Sequence, residues 1–161
     1  MVNRIRVGIG YDVHTFVSGR RLVLGGVDIP LDKRLSGWSD ADVLTHAIID
    51  ALLGAAALGD IGSHFPPGEP QYKDISSLVL LQRIRDELAE NGWLISNIDA
   101  TIVAEQPKLR HCIDRIRQQL SQTLGIASGQ VSVKATTSDE LGFVGRGEGI
   151  AAYAVALIEG I

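Results

Sequence analysis

The sequence predicts an α+β fold: one domain, a mixed β-sheet with helices covering one face. Three observations carry this. Strand-type alternation and helix-type periodicity follow one another in the order strand, strand, helix, helix, strand, helix, strand, final element. One helical stretch is apolar almost all round and must be buried. No repeat, linker or low-complexity segment divides the 161 residues, a length at which roughly 70% of the unfolded surface is buried on folding.

Residues 4–13 alternate, with Ile5, Val7 and Ile9 to one side and Arg4, Arg6 and Gly8 to the other, and read as a strand. LVLGGVDIP, 22–30, reads as a second strand interrupted at Gly25-Gly26 by a bulge or a close backbone approach, and closed by Pro30. SDADVLTHAIIDALLGAAALGD supplies the buried helix, about 40–58. Ser39 and Asp42 resemble a capping box, and Gly59 is its stop.

The segment 60–75 holds three prolines and two glycines and reads as a loop of functional length. SSLVLLQRIRDELAENG is a helix capped by Ser76 or Ser77 and ended by Gly92. NIDATIVAEQP is a strand stopping before Pro107. KLRHCIDRIRQQLSQTLG is an amphipathic helix and QVSVKATT a short strand. SDELGFVGRGEG is a loop whose glycines suit tight turns, and GIAAYAVALIE closes the chain as a strand.

The net charge of −4 and the absence of a Lys/Arg block argue against nucleic-acid binding. No apolar run reaches the roughly 18 residues of a membrane span, and MVNRIRVGIG shows no signal peptide. Cys112 is the sole cysteine, so no intramolecular disulfide forms. The expectation is a protein of the bacterial cytoplasm, or a mature form from the plastid stroma.

Two local patterns carry chemistry. In GYDVHTF, Asp12 and His14 stand two apart on a strand and share a face, as half of a metal site or as a plain surface pair. Asp42, His46 and Asp50 form one line at i, i+4 and i+8 on the buried helix. Unpaired burial of such groups costs several kcal/mol. A metal or ligand would compensate; so would a helix-dipole Asp42 and a core His46 bonded to Asp50. Asp12, His14 and His46 together make a two-histidine, one-carboxylate set suited to zinc with an open fourth position, or to iron or manganese.

GYDVHTF, GGVDIP, SDADVLTHAIIDALLGAAALGDIG, FPP, AEQPK and VKATTSDELGFVGRGEGIAAYAVAL, in this order, resemble the 2-C-methyl-D-erythritol 2,4-cyclodiphosphate synthases. The resemblance runs from about residue 4 to 159. It implies a homotrimer with active sites between subunits and packed sheets at its centre. It also implies an intramolecular attack of a 2-phosphate on the β-phosphate of a cytidine diphosphate derivative, with CMP as leaving group. The enzyme would be a phosphorus–oxygen lyase of non-mevalonate isoprenoid synthesis.

By the same resemblance, Asp12, His14 and His46 would hold Zn²⁺ or another divalent transition metal. Asp139 would face Mg²⁺ or Mn²⁺ on the substrate diphosphate. Asp139, Thr137 and Ser39 would carry the catalytic contacts, with Asp50 orienting the His46 ring. Trp38, Asp60, Gly62, Phe65, Pro66, Pro67, Gly68 and Glu69 would meet the erythritol and phosphate portions. Ala104, Glu105, Gln106, Pro107, Lys108, Thr136, Thr137 and Ser138, from the neighbouring subunit, would hold the cytidine diphosphate. Phe143 and Arg146 would line a pocket on the trimer axis that takes an isoprenoid diphosphate.

Three positions depart from the family pattern. Trp38 stands where histidine is common, and an indole N–H can donate but cannot carry charge. Asp139 stands where many members have glutamate. Pro67 stands where an acid can occur. His64 could line the cleft, His111 is expected in solvent, Cys112 in packing, and Lys134 in a structural or interface role. Two rivals share the same ligands: a metal-dependent phosphohydrolase, and a non-catalytic trimeric isoprenoid-diphosphate binder.

Overall fold

The computed structural model describes residues 4–161. A five-stranded mixed sheet has the order β4-β1-β7-β5-β6. Its strands are β1 (Ile5–Ser18), β4 (Lys33–Leu35), β5 (Trp93–Val103), β6 (Val131–Thr136) and β7 (Gly149–Gly160). Only the β5–β6 pair is parallel. The long helices α1 (Val43–Ala56), α3 (Ser77–Glu90) and α4 (Ile113–Leu124) lie to one side of this sheet. Short helices α2 (Ile61–His64) and α5 (Gly142–Gly145) punctuate the two segments read as loops.

The predicted second strand is a hairpin of β2 (Leu22–Leu24) and β3 (Val27–Ile29). Gly25 and Gly26 form its two-residue turn with φ of +57° and +74°, a conformation glycine adopts without steric cost. The close-approach reading also holds: a Cβ on Gly25 would come within 2.5 Å of the Ile116 side chain. β4 escaped the sequence reading because three residues carry too little periodicity. The third long helix begins at Ile113 rather than Lys108, after a 3₁₀ turn at Arg110–Cys112.

The buried helix starts at Val43, and its cap is Asp42 rather than Ser39. The Asp42 carboxylate is fully buried and accepts from Gly25 N, Gly26 N, Thr45 N and Thr45 Oγ. It thereby ties the hairpin turn to the helix start. All its partners are donors within the chain, which explains its burial without a metal.

α1 presses on β1 because both surfaces are small. Gly8 and Gly10 face Ala51, Ala55 and Ala47. A Cβ on Gly10 would fall 1.8 Å from the Ala47 carbonyl oxygen. Opposite them across the ladder stand Ala154 and Ala156 of β7, also buried. The apolar set of β1 therefore takes the face away from the helices. Ile5, Val7 and Ile9 are 57%, 66% and 72% exposed, and Leu94, Tyr153 and Val155 lie open with them. Exposed apolar groups in such number are unusual on the surface of a lone domain.

Candidate metal centre and substrate clefts

Close packing of β1 on α1 delivers the ligand set. Asp12 and His14 share the strand face turned to α1, and His46 rises from the first turns of the helix. His14 Nε2 lies 2.9 Å from Asp12 Oδ2, His46 Nδ1 lies 3.0 Å from the same oxygen, and the two nitrogens are 3.2 Å apart. A tetrahedral zinc ion with bonds near 2.0–2.1 Å has ligand–ligand edges of about 3.4 Å. The triangle is a little tighter than that and accepts an ion with a small expansion.

The tautomers point the same way. His14 Nδ1 lies 2.7 Å from the Ser36 carbonyl oxygen, which can only accept, so Nδ1 carries the proton and Nε2 turns a lone pair inward. His46 Nε2 lies 2.9 Å from Ser77 Oγ and 3.1 Å from Ser39 Oγ. The Ser77 hydroxyl is a donor to Asp40, so it accepts from Nε2–H and leaves the His46 Nδ1 lone pair facing the triangle. With both rings neutral, two lone pairs and a carboxylate oxygen converge on one point, which a metal ion would satisfy; without one, a proton on a ring nitrogen bonds to Asp12 instead. Burial alone would raise the Asp12 carboxyl, but hydrogen bonds and charge from His14 and His46 outweigh it and hold it well below the usual carboxylate range. Burial would lower His14; hydrogen bonding to Asp12 and its charge raise it instead.

These residues open on a cavity of about 320 Å³. Asp12, His14, Trp38, Ser39, His46, Gly62, Phe65 and Pro67, all named by the resemblance, line it together with Gly37, Ile61, Tyr72 and Leu80. Phe65 meets Tyr72 edge-on at 5.4 Å. Trp38 does not offer its N–H to the cavity: Nε1 donates to the Glu69 carbonyl at 2.8 Å, so the indole acts as a wall and a latch on the loop. Asp60 caps α2 through Ser63 N, and Pro66, Gly68 and Glu69 stay outside the lining.

Asp50 does not orient His46. It accepts from Ile61 N at 2.8 Å and anchors the start of α2; the His46 ring instead meets Asp12, Ser39 and Ser77. Four residues along a helix place Asp50 on the same side as His46, but the ring leans toward the strand. Ser77 and Asp40 were missed as supports. Ser77 is separated from His46 by 31 positions, and only packing of α3 on α1 joins them.

A second cavity, about 430 Å³, is lined by Ala104, Pro107, Lys108, Thr136 and Thr137, with Arg110 and Lys134 added to the expected set. Lys134 also pairs with Asp99 at 2.5 Å. The two cavities share no lining residue. Glu105, Gln106 and Arg146 border a third, about 330 Å³. There Glu105 accepts from Ser138 N, Arg146 pairs with Glu148 at 3.0 Å, and Phe143 lies 36% exposed nearby in α5. Asp139 sits in the loop between β6 and α5. His64 does not line the cleft; it contacts the Leu58 carbonyl and Glu87. His111 is exposed and Cys112 buried.

Fold and site define an α+β domain with an Asp–His–His triangle that could hold a metal ion, and a separate cleft bearing Lys108, Arg110 and Lys134. Residues 5–159 match the YgbB family, and the chain belongs to that family. It is 61% identical to the 2-C-methyl-D-erythritol 2,4-cyclodiphosphate synthase of Dehalococcoides mccartyi, over 96% of this chain and 99% of that one. It is 56% identical to the synthase of Moorella thermoacetica, over 96% and 94%. Among solved structures, the Plasmodium falciparum IspF CDP complex matches with a TM-score of 0.86 at 32% identity, over 99% of both chains. The bifunctional IspDF of Campylobacter jejuni matches with 0.95 at 38% identity, over 99% of this chain and 43% of that one. Among the described residues, no helix is long and apolar enough to cross a membrane.

Proposed function

We propose that the chain converts 4-diphosphocytidyl-2-C-methyl-D-erythritol 2-phosphate to 2-C-methyl-D-erythritol 2,4-cyclodiphosphate and CMP, in non-mevalonate isoprenoid synthesis. The observation that carries this is the convergent Asp12–His14–His46 triangle in a chain 61% identical to a synthase of that name over 96% of its length.

An oxygen of the substrate 2-phosphate forms a bond to the β-phosphorus. The bond from that phosphorus to the oxygen bridging to CMP breaks, and CMP leaves with the electron pair. No water is consumed, so the reaction is a lyase step. Attacker and target sit in one molecule and are both anionic, so the chain's task is to fold the substrate in line and offset charge.

Asp12, His14 and His46 would hold Zn²⁺ or a similar divalent ion. When bound, such an ion supplies Lewis acidity to a phosphate oxygen. Ser39, beside His46, offers a hydroxyl to the same phosphate. Gly62, Phe65 and Pro67 shape the wall for the erythritol portion, closed by Trp38. Lys108, Thr136 and Thr137 line the cleft proposed for the cytidine diphosphate. Asp139 would hold Mg²⁺ or Mn²⁺ on the diphosphate, since magnesium takes one or two carboxylates plus phosphate oxygens.

The clefts are separate within one chain, and the outer sheet face is apolar and uncovered. Both features support a homotrimer in which the metal centre of one subunit meets the cytidine cleft of the next. Phe143 and Arg146 would then border an isoprenoid-diphosphate pocket on the axis, where the ligand competes with Glu148 for Arg146.

Phosphorus NMR of the zinc-loaded protein with this substrate and Mg²⁺ tests the assignment. Coupled cyclic-diphosphate signals with equimolar CMP are expected. Free inorganic phosphate would put a phosphohydrolase in its place. Unchanged substrate in a metal-loaded protein would leave a binding role only.

A further inference from the structure

The loop bearing Asp139 has an unusual backbone. Asp139 and Glu140 both lie in the left-handed region, with φ of 55° and 61°. A residue without glycine's freedom is strained there, and it persists where neighbours over-determine it. Here one atom does so. Glu105 Oε1, just past the end of β5, accepts from Ser138 N at 2.9 Å and Glu140 N at 3.2 Å, with the Ser138 hydroxyl at 3.2 Å. The amides before and after Asp139 are thus tied to a single carboxylate oxygen. Asp139 N itself turns to Thr137 Oγ at 3.3 Å, so the two residues proposed to meet the diphosphate are linked within the clasped turn.

We infer that Glu105 is a positioning residue: its carboxylate clasps the Ser138–Glu140 turn and so sets Asp139 and Thr137 for the diphosphate and its magnesium ion. This rests on the reaction proposed above. The contacts belong to a charged acceptor, and hydrogen bonds to an ionised oxygen are about twice as strong as neutral ones. These bonds from Ser138 and Glu140 outweigh the small desolvation cost and hold the Glu105 carboxyl below the usual glutamate range, so it is ionised at neutral pH. Glu105 therefore acts on the loop rather than on the nucleotide, although the sequence places it within the substrate-contacting segment.

The test compares E105A and E105Q with the unaltered protein, all zinc-loaded. The amide oxygen of E105Q can still accept from both backbone amides; E105A cannot. Hydrogen exchange at Ser138 and Glu140 should quicken about fivefold or more in E105A and by a smaller factor in E105Q, which keeps an acceptor but loses the charge. The Mg²⁺ concentration giving half-maximal turnover should rise about tenfold or more in E105A, with E105Q between it and the unaltered protein. Zinc affinity should stay the same in both. Unaltered exchange and Mg²⁺ dependence in E105A would overturn the clasp, as would an E105Q as impaired as E105A. If the unaltered protein makes no cyclic diphosphate while E105A still frees the loop amides, the reaction falls and the clasp stands.

Discussion

His14 and His46 meet through unlike ring nitrogens, Nε2 of the first 3.2 Å from Nδ1 of the second, 32 positions apart in the chain. Each ring is fixed from behind, by the Ser36 carbonyl on one side and by Ser77 on the other. With both rings neutral the contact sets two lone pairs against each other, which a metal ion would relieve; in its absence a proton on His14 does so.

Support behind the ligand is therefore measurable apart from the ligand itself. S77A should weaken zinc binding about tenfold by removing the acceptor for His46 Nε2–H, and H46A should weaken it beyond about 100-fold. Competition with a chromogenic chelator reads both.

Metal affinity should rise with pH. His14 is shifted up by Asp12, so in the metal-free protein it stays protonated above its ordinary range and must release that proton to bind. Below the raised value a proton competes for His14, and affinity falls progressively as the pH is lowered. Calorimetry in buffers of different ionisation enthalpy should show proton release, greatest below that value.

The contact between β1 and α1 leaves no room for a methyl group. G10A should cost about 3 kcal/mol or more, or displace α1 with His46 on it. G129A meets nothing within 4 Å and should stay within about 0.5 kcal/mol. Urea melts compare them.

Trp38 serves the loop. W38F keeps an aromatic wall but loses the donor to the Glu69 carbonyl, worth about 1 kcal/mol net. Amide exchange in residues 65–69 should quicken while zinc affinity holds.

The open sheet face should be where subunits meet. Sedimentation should give three times the 17.3 kDa chain mass, and I9D, a charge placed on a residue 72% exposed in one chain, should yield monomers.

Much of this was legible before any fold was known. Alternation placed Asp12 and His14 on one strand face, and the apolar girdle of α1 showed that His46 is buried, because both follow from local periodicity. The motif order from GYDVHTF to GRGEG sufficed for the family, and so for the residues to test. What periodicity could not show was which face of β1 turns inward. The run Ile5, Val7, Ile9 is the more apolar, yet Gly8 and Gly10 face the core, because α1 carries alanines there and the closest backbone approach wins. Nor could it show where the His46 ring points. Asp50 was the neighbour in sequence, but Ser77 and Asp12 arrive from other elements, and hydrogen bonds between distant segments exist only once helix and sheet have packed.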